Sequence, residues 1–276
     1  MSSMKKTIFI TGSSSGIGKE TAQFFAKKDW QVIATMRNPD KRNTGLEQIN
    51  NIDLVHLDVT DEKSIKDSIT YAIKTYGAID VLVNNAGYAH FGPFEASTSQ
   101  SVRKQYDTNV LGLMDVTREI IPIFRKQNHG IIINVSSVAG KMTFPFYSIY
   151  NSTKWAIEGF SESLQFELKD LNIKVKIIEP GIIKTDFYDR SKDIASKKGL
   201  QIYDQNLKKL IAYEENNINK QRYSHPIVIA NEIYKATTDS SWKLRYPMGR
   251  YSGSILWLRR LLPERLFIGL IKRITL

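Results

Sequence analysis

KTIFITGSSSGIGKETAQFFAKK (residues 6–28) places an apolar strand, a glycine- and serine-rich turn and a helix in direct succession. The strand is read over 6–11, the turn over 12–18 and the helix to about residue 28. Glycines at such a junction permit a tight turn, a close approach of backbone to a pyrophosphate and close packing of helix on strand. The first amides of the helix attract phosphate. The turn lacks a GKS or GKT ending, which excludes a P-loop. An ordinary strand–helix turn rich in Gly and Ser is the competing reading, so the rest of the chain has to decide.

The alternation continues outward. Strands are predicted over 31–35, 52–57, 79–84, 130–135, 174–179 and 243–246. Helices are predicted over about 62–76, 99–126 and 147–171, with another after Pro226. Short apolar strands separated by helical crossovers call for a parallel sheet covered on both faces. Pro180-Gly181 ends the sixth strand. Residues 185–225 are polar and tyrosine-rich and leave the pattern, as a lid over a strand-end crevice would, with two helical pieces expected.

Composition narrows the chemistry. A chain of 276 residues with 42% hydrophobic and 24% charged residues can bury a full core. It has no cysteine, which excludes disulfides and thiolate metal sites, and its histidines (His56, His90, His129, His225) lack metal-ligand spacing. The formal net charge of +11 suits an anionic cofactor or an anionic membrane surface. Nucleic acid is not expected as a partner, because no binding motif accompanies the charge. No signal-peptide core separates Lys5-Lys6 from the first strand, and no apolar run reaches the ~18 residues of a spanning helix; a cytoplasmic location is expected.

Tyr150 and Lys154 stand four apart in YNSTK, inside a predicted helix, with Ser137 thirteen residues upstream. The spacing puts phenol and ammonium on one helix face. A nearby cation favours phenolate, which predicts a Tyr150 pKa below the ordinary ~10 and acid/base chemistry at a carbonyl or alcohol. Alone, such a pair is a common surface feature.

TGSSSGIG (11–18), NNAG (84–87), Asn109, Ser137 and YNSTK in this order resemble the short-chain dehydrogenase/reductase family in its common form. The resemblance runs from Lys6 to about Thr185. It implies an α/β, Rossmann-like three-layer fold with a seven-stranded parallel sheet in the order 3-2-1-4-5-6-7, a helical lid and a helical extension over 252–276. By the same resemblance, Gly12, Gly16, Ile17 and Gly18 would shape the pyrophosphate turn. Asp58 would accept from the adenine amino group with Val59 alongside, helix capping being its alternative. Asn84 would brace the sheet, and Asn85, Ala86 and Gly87 would line the cofactor ribose. Pro180, Gly181, Ile183 and Thr185 would meet the nicotinamide. Ser137 would hydrogen-bond the substrate oxygen, Tyr150 would exchange the proton, Lys154 would hold the ribose hydroxyls, and Asn109 would support a water-linked relay.

Arg37 bears on the cofactor. NAD-selecting folds carry a carboxylate at the end of the second strand, whereas IATMRNP offers Met36 and then Arg37, with no acid before Asp40. A guanidinium fits a phosphate by charge and geometry, so NADP(H) is expected over NAD(H), with Ser13, Ser14 or Ser15 assisting. Val138, Phe144, Tyr147 and Tyr188, with Met142, Phe146, Phe187, His90, Phe91 and Phe94 nearby, suggest a substrate crevice with few fixed charges and an apolar ketone, aldehyde or alcohol. The layout is similar to the steroid- and retinoid-type branch of the family, whose members are commonly homodimers or homotetramers. Residues 252–276 carry Arg259, Arg260, Arg265, Lys272 and Arg273 against one acid, Glu264, and read as two amphipathic helices. They could pack on the protein or lie on a membrane surface and admit lipid-type substrates. A protein that senses NADP(H) without turnover is the reading from another functional class.

Overall fold

A computed structural model describes residues 5–41, 43–184, 192–250 and 252–276. Seven strands form one parallel sheet: β1 (Thr7–Ile10), β2 (Gln31–Met36), β3 (Ile52–His56), β4 (Val81–Asn84), β6 (Gly130–Val135), β7 (Ile173–Pro180) and β9 (Arg245–Met248). Their order is β3-β2-β1-β4-β6-β7-β9. Counting only the strands of this sheet, that is the expected 3-2-1-4-5-6-7. β1 lies between two partners, with Ile8 opposite both Val32 and Val81.

Both faces are covered because each strand sends alternate residues to opposite sides. Ile8 and Ile10 join the core shared with α1 (Gly16–Lys27) and α7 (Pro226–Thr238). Phe9 and Ile33 join the opposite core, beneath α2 (Glu62–Tyr76), α4 (Gly112–Gln127) and α5 (Ser148–Leu168). Phe9, Phe25 and Phe124 are fully enclosed, each contributing roughly 1.5–3 kcal/mol through burial. A polar seam crosses the second layer. Asn84 Nδ2 donates to Thr117 Oγ1 and to Asn134 Oδ1, both at 2.9 Å, and Asn134 Nδ2 donates to Ser161 Oγ at 2.8 Å. Asn84 thus braces two adjacent strands, as expected.

Two local departures matter for the site. The helix expected over 99–126 is interrupted: α3 (Ser99–Tyr106) runs into a π-helical turn, Asp107–Leu111, before α4 begins. Asn109 sits in that turn. A three-residue strand after NNAG, β5 (Ala89–Phe91), pairs in parallel with β8 (Lys192–Ile194) from the lid. Among its described residues the lid then holds two helical pieces, a 3-10 turn (Gln201–Tyr203) and an α-helix, α6 (Asp204–Asn219). The extension forms α8 (Ser252–Leu261) and α9 (Glu264–Thr275), with Pro263 as the N-cap of the second. No helix among the described residues is long and apolar enough to cross a membrane.

Candidate active site

A cleft of about 640 Å³ opens at the carboxyl ends of the central strands, where the glycine turn, NNAG, Ser137, Tyr150 and Lys154 converge. Thr11, just beyond β1, organises its floor. Its Oγ1 accepts from the backbone N–H of Asn85 and of Ala86, and Asn85 Nδ2 donates to the carbonyls of Thr11 and Gly12, all at 3.0 Å. The glycine turn and NNAG therefore form one rigid unit. Glycine is demanded at two points. Gly12 has φ +69° and would place a Cβ 2.8 Å from Ala86 Cα, and a Cβ on Gly18 would lie 2.4 Å from the Gly12 carbonyl oxygen.

The residues present fit a dinucleotide. Ser15 caps α1 without a side-chain hydrogen bond, and no acid lies in the first turn, so the N-terminal amides have no capping side chain of their own. Ser14, Ser15, Gly16 and Ile17 line the cleft beside them, whereas Ser13 is buried and donates to the Ile10 carbonyl. Arg37 is exposed at the cleft edge, and Met36, in the position of an NAD-selecting acid, is buried. His56 Nδ1 donates to the Arg37 carbonyl at 2.8 Å and fixes that turn. Asp58 and Val59 also line the cleft. Capping of α2 falls to Asp61, not to Asp58 or Thr60. Asp58 Oδ1 instead accepts from the N–H and hydroxyl of Thr60, and its Oδ2 has no partner among the described residues.

At the other end, Ser137 caps a 3-10 turn (Val138–Gly140), and its Oγ accepts from Ala139 N–H at 3.1 Å. Ser137 Oγ also donates to the Pro180 carbonyl at 3.5 Å, and Tyr150 lines the same wall. Ser136, next to Ser137, is buried. Lys154 Nζ donates to the Val135 carbonyl at 2.9 Å and lies 5.7 Å from the centre of the Tyr150 ring. Pro180, Gly181 and Ile183 complete this wall. Thr185 and Tyr188, expected at the nicotinamide and the substrate, lie outside the described residues.

The expected lowering of the Tyr150 pKa is corrected. Burial pushes the phenol up to about 12, against a smaller downward pull from the Ser137 hydroxyl. Burial also pulls Lys154 down to about 8, only partly offset by Glu158 one turn on. Lys154 is buried and Tyr150 half-buried, and desolvation outweighs the cation's field on the phenol. Tyr150 is thus a protonated acid in the chain by itself.

Asn109 is buried but does not line the cleft. Its Oδ1 accepts from Tyr88 N–H at 3.0 Å; its Nδ2 donates to Tyr88 O at 2.8 Å and to Thr153 Oγ1 at 3.2 Å. Thr153 in turn donates to the Tyr150 carbonyl at 2.8 Å. Asn109 therefore joins the segment after NNAG to the helix bearing Tyr150 and Lys154.

Val138, Phe144 and Tyr147 line the outer cleft, as expected. Met142 is instead packed beneath α8 and α9, and Phe94 is exposed. The expectation of few fixed charges is also corrected: Lys104, Asp193 and Glu214 reach the cleft, with Tyr88, Leu210, Tyr213 and Thr275. Tyr147 Oη donates to Glu214, and His90 bridges Asp193 Oδ2 at 2.8 Å and Ser97 Oγ at 2.9 Å. The Tyr88 hydroxyl is buried without a hydrogen-bond partner among the described residues. Its place beside NNAG was a signal for Tyr88. The lid and tail residues carried none, because their position depends on a fold that departs from the strand–helix pattern.

Comparison with known proteins agrees with this geometry. The short chain dehydrogenase family model matches residues 6–199. An uncharacterized oxidoreductase of Schizosaccharomyces pombe is 43% identical over 234 residues, 85% of this chain and 97% of that protein. Bacillus subtilis YusZ, another uncharacterized oxidoreductase, is 38% identical over 278 residues and 98% of each chain. A 3-ketodihydrosphingosine reductase of Bacteroides thetaiotaomicron is 37% identical over 182 residues, 66% of this chain and 65% of its own. Among solved structures, a short-chain dehydrogenase from Streptomyces avermitilis superposes with TM-score 0.80 at 27% identity, covering 98% and 96% of the two chains. ElxO with NADP bound gives 0.71 at 28%, covering 88% and 95%. A seven-stranded parallel sheet, a glycine turn locked to NNAG and a Ser–Tyr–Lys set at the strand ends are the landmarks that family combines, and with matches along most of its length this chain belongs to the short-chain dehydrogenases, as a nicotinamide-dinucleotide-dependent oxidoreductase.

Proposed function

We propose that the protein is an NADP(H)-dependent oxidoreductase that interconverts an apolar ketone or aldehyde and its alcohol. The observation that carries this reading is the convergence of Ser137, Tyr150 and Lys154 on one cleft wall, with Lys154 Nζ 5.7 Å from the centre of the Tyr150 ring. The bound nicotinamide supplies hydride to the carbonyl carbon in reduction and takes it in oxidation. Ser137 holds the substrate oxygen, and Tyr150, protonated in its buried setting, gives that oxygen its proton in reduction. Lys154 holds the ribose hydroxyls, and its positive charge lowers the cost of negative charge on the oxygen and on Tyr150. Asn109 holds the Tyr150–Lys154 helix against the NNAG segment through Thr153, which supports its place in the catalytic set as a positioning residue.

Arg37, with no acid beside it, supports NADP(H) over NAD(H) by pairing with a 2′-phosphate. Val138, Phe144 and Leu210 support an apolar substrate body, and a relative whose name gives 3-ketodihydrosphingosine as substrate, a ketone on a lipid chain, is compatible with it. The lid acids leave room for a polar or cationic group near the reacting carbon. The same reading includes a homodimer or homotetramer.

The test is an activity screen over apolar ketones and alcohols with both cofactors, using the natural chain and Tyr150→Phe. The natural chain should turn over at least one compound with kcat/KM for NADPH well above that for NADH. Tyr150→Phe should lose roughly 10²–10⁴-fold in kcat while NADPH binding is retained. Equal efficiency with the two cofactors would remove the role given to Arg37. Retained turnover in the Phe variant would remove the role given to Tyr150. NADPH binding without turnover by the natural chain would favour a sensing protein.

A further inference from the structure

The tail reaches the cleft through Thr275 of α9, and both α8 and α9 face solvent on their outer side. Phe267, Ile271 and Thr275 recur every four residues on α9 and are buried, with Phe267 and Ile271 packed beside Met142 and Phe144. Thr275 reaches the cleft wall, and Leu276 packs with the aromatic cluster that contains Tyr147 and Tyr150. This inner stripe accounts for packing on the protein, one of the two readings of the segment, but for only part of its apolar surface. Leu266, Leu270 and Ile274 form a second stripe beside it, with Leu266 62% and Ile274 47% exposed. On α8, Trp257 is 64% and Leu261 57% exposed, one turn apart. A stable water-facing helix has no need of these large apolar side chains.

Charge identifies what would cover them. Residues 252–276 hold five cations and one acid. That acid, Glu264, is paired by Arg259, which also lies over the Phe267 ring. Arg260, Arg265, Lys272 and Arg273 are exposed and make no ion pair among the described residues. Exposed apolar stripes flanked by unpaired cations match the interfacial zone of a bilayer, where apolar side chains enter the acyl boundary and basic ones meet phosphate. We infer that α8 and α9 dock this protein on an anionic phospholipid surface, so that the cleft, which α9 reaches through Thr275, receives a long-chain carbonyl or alcohol substrate from the bilayer. The delivery step rests on the oxidoreductase reading above; the docking step does not.

Binding is measured by co-sedimentation of the full chain with phosphatidylcholine vesicles and with vesicles of equal parts phosphatidylcholine and phosphatidylglycerol, at low and high salt. The full chain should bind the anionic vesicles far better, and less so at high salt. Combining Arg260→Gln, Arg265→Gln and Arg273→Gln should weaken partitioning by about a hundredfold. The pair Trp257→Ser and Leu266→Ser should weaken it also on low-salt vesicles. Turnover of a short water-soluble carbonyl should stay unchanged in both variants, showing intact folding, while KM for a vesicle-borne long-chain ketone rises. Failure of the full chain to bind, equal binding to both vesicle types, or dissociation of a homo-oligomer by the variants would overturn the docking. Docking that survives while neither carbonyl is turned over would overturn the oxidoreductase reading alone.

Discussion

Individual residues in this site are set by how much water each has lost. Tyr150 and Lys154 were recognisable from their spacing, but the direction of the tyrosine shift was not, because burial is a tertiary quantity. The same holds for the carboxylates behind Lys154. Glu158 and Glu179 are buried together, with Arg245 Nε 3.0 Å from Glu158 and 3.6 Å from Glu179. Burial, and then repulsion from Glu158, pushes Glu179 up from 4.5 to about 7. An acid whose pKa is higher in the folded than in the unfolded chain holds its proton better when folded. Its effect on stability is therefore nil below about 4.5 and increasingly unfavourable as pH rises to about 7, on the order of 3 kcal/mol in full. Urea unfolding at pH 5 and pH 8 should show a loss between the two that is distinctly smaller in Glu179→Gln. An equal loss in variant and natural chain would assign the pH dependence elsewhere.

Elements connect those residues. The strand–helix alternation was legible because each crossover has its own apolar period and punctuation: Pro226 starts α7, and Gly77 ends α2 at φ +77°. What periodicity could not show is the π-helical turn over Asp107–Leu111, since one extra residue per turn barely disturbs a pattern of buried positions. That turn bears Asn109, which pairs with both backbone groups of Tyr88. Asn109→Ala would leave the Tyr88 N–H without its partner, while Gln105 still donates to the Tyr88 carbonyl, and should cost about 1–3 kcal/mol in chemical unfolding. It should also lower kcat more than NADPH affinity, because the Thr153 link to the Tyr150 helix is lost while the glycine turn is untouched. An unchanged kcat would limit Asn109 to stability. The β5–β8 pair was hidden for another reason: each strand has three residues, and they meet across a hundred positions of chain.

At the scale of the whole molecule, α5 presents Trp155, Gly159 and Phe166 along one outer stripe, with Trp155 47% and Phe166 75% exposed. A Cβ on Gly159 would meet nothing within 4 Å, which leaves room for a neighbour's backbone or ring. A two-fold assembly with α5 against its copy would cover this stripe on both subunits. Phe166→Asp should shift sedimentation velocity toward monomer, and an unaltered profile would place the contact on another face. Such faces mark the boundary between one-dimensional and three-dimensional information. By itself the sequence determined the strand–helix alternation, the glycine turn, the Tyr150–Lys154 spacing and the two amphipathic helices of the tail, because strand punctuation, glycine requirements and helical spacing are local properties; the sheet order and the place of Ser137 came through the family resemblance. Tertiary structure alone decided that burial raises the Tyr150 phenol, that Asn109 lies behind the wall, and that Glu214, Asp193 and Thr275 share the cleft. Desolvation and the meeting of a lid with a tail depend on which distant segments lie side by side, and no period along the chain encodes that.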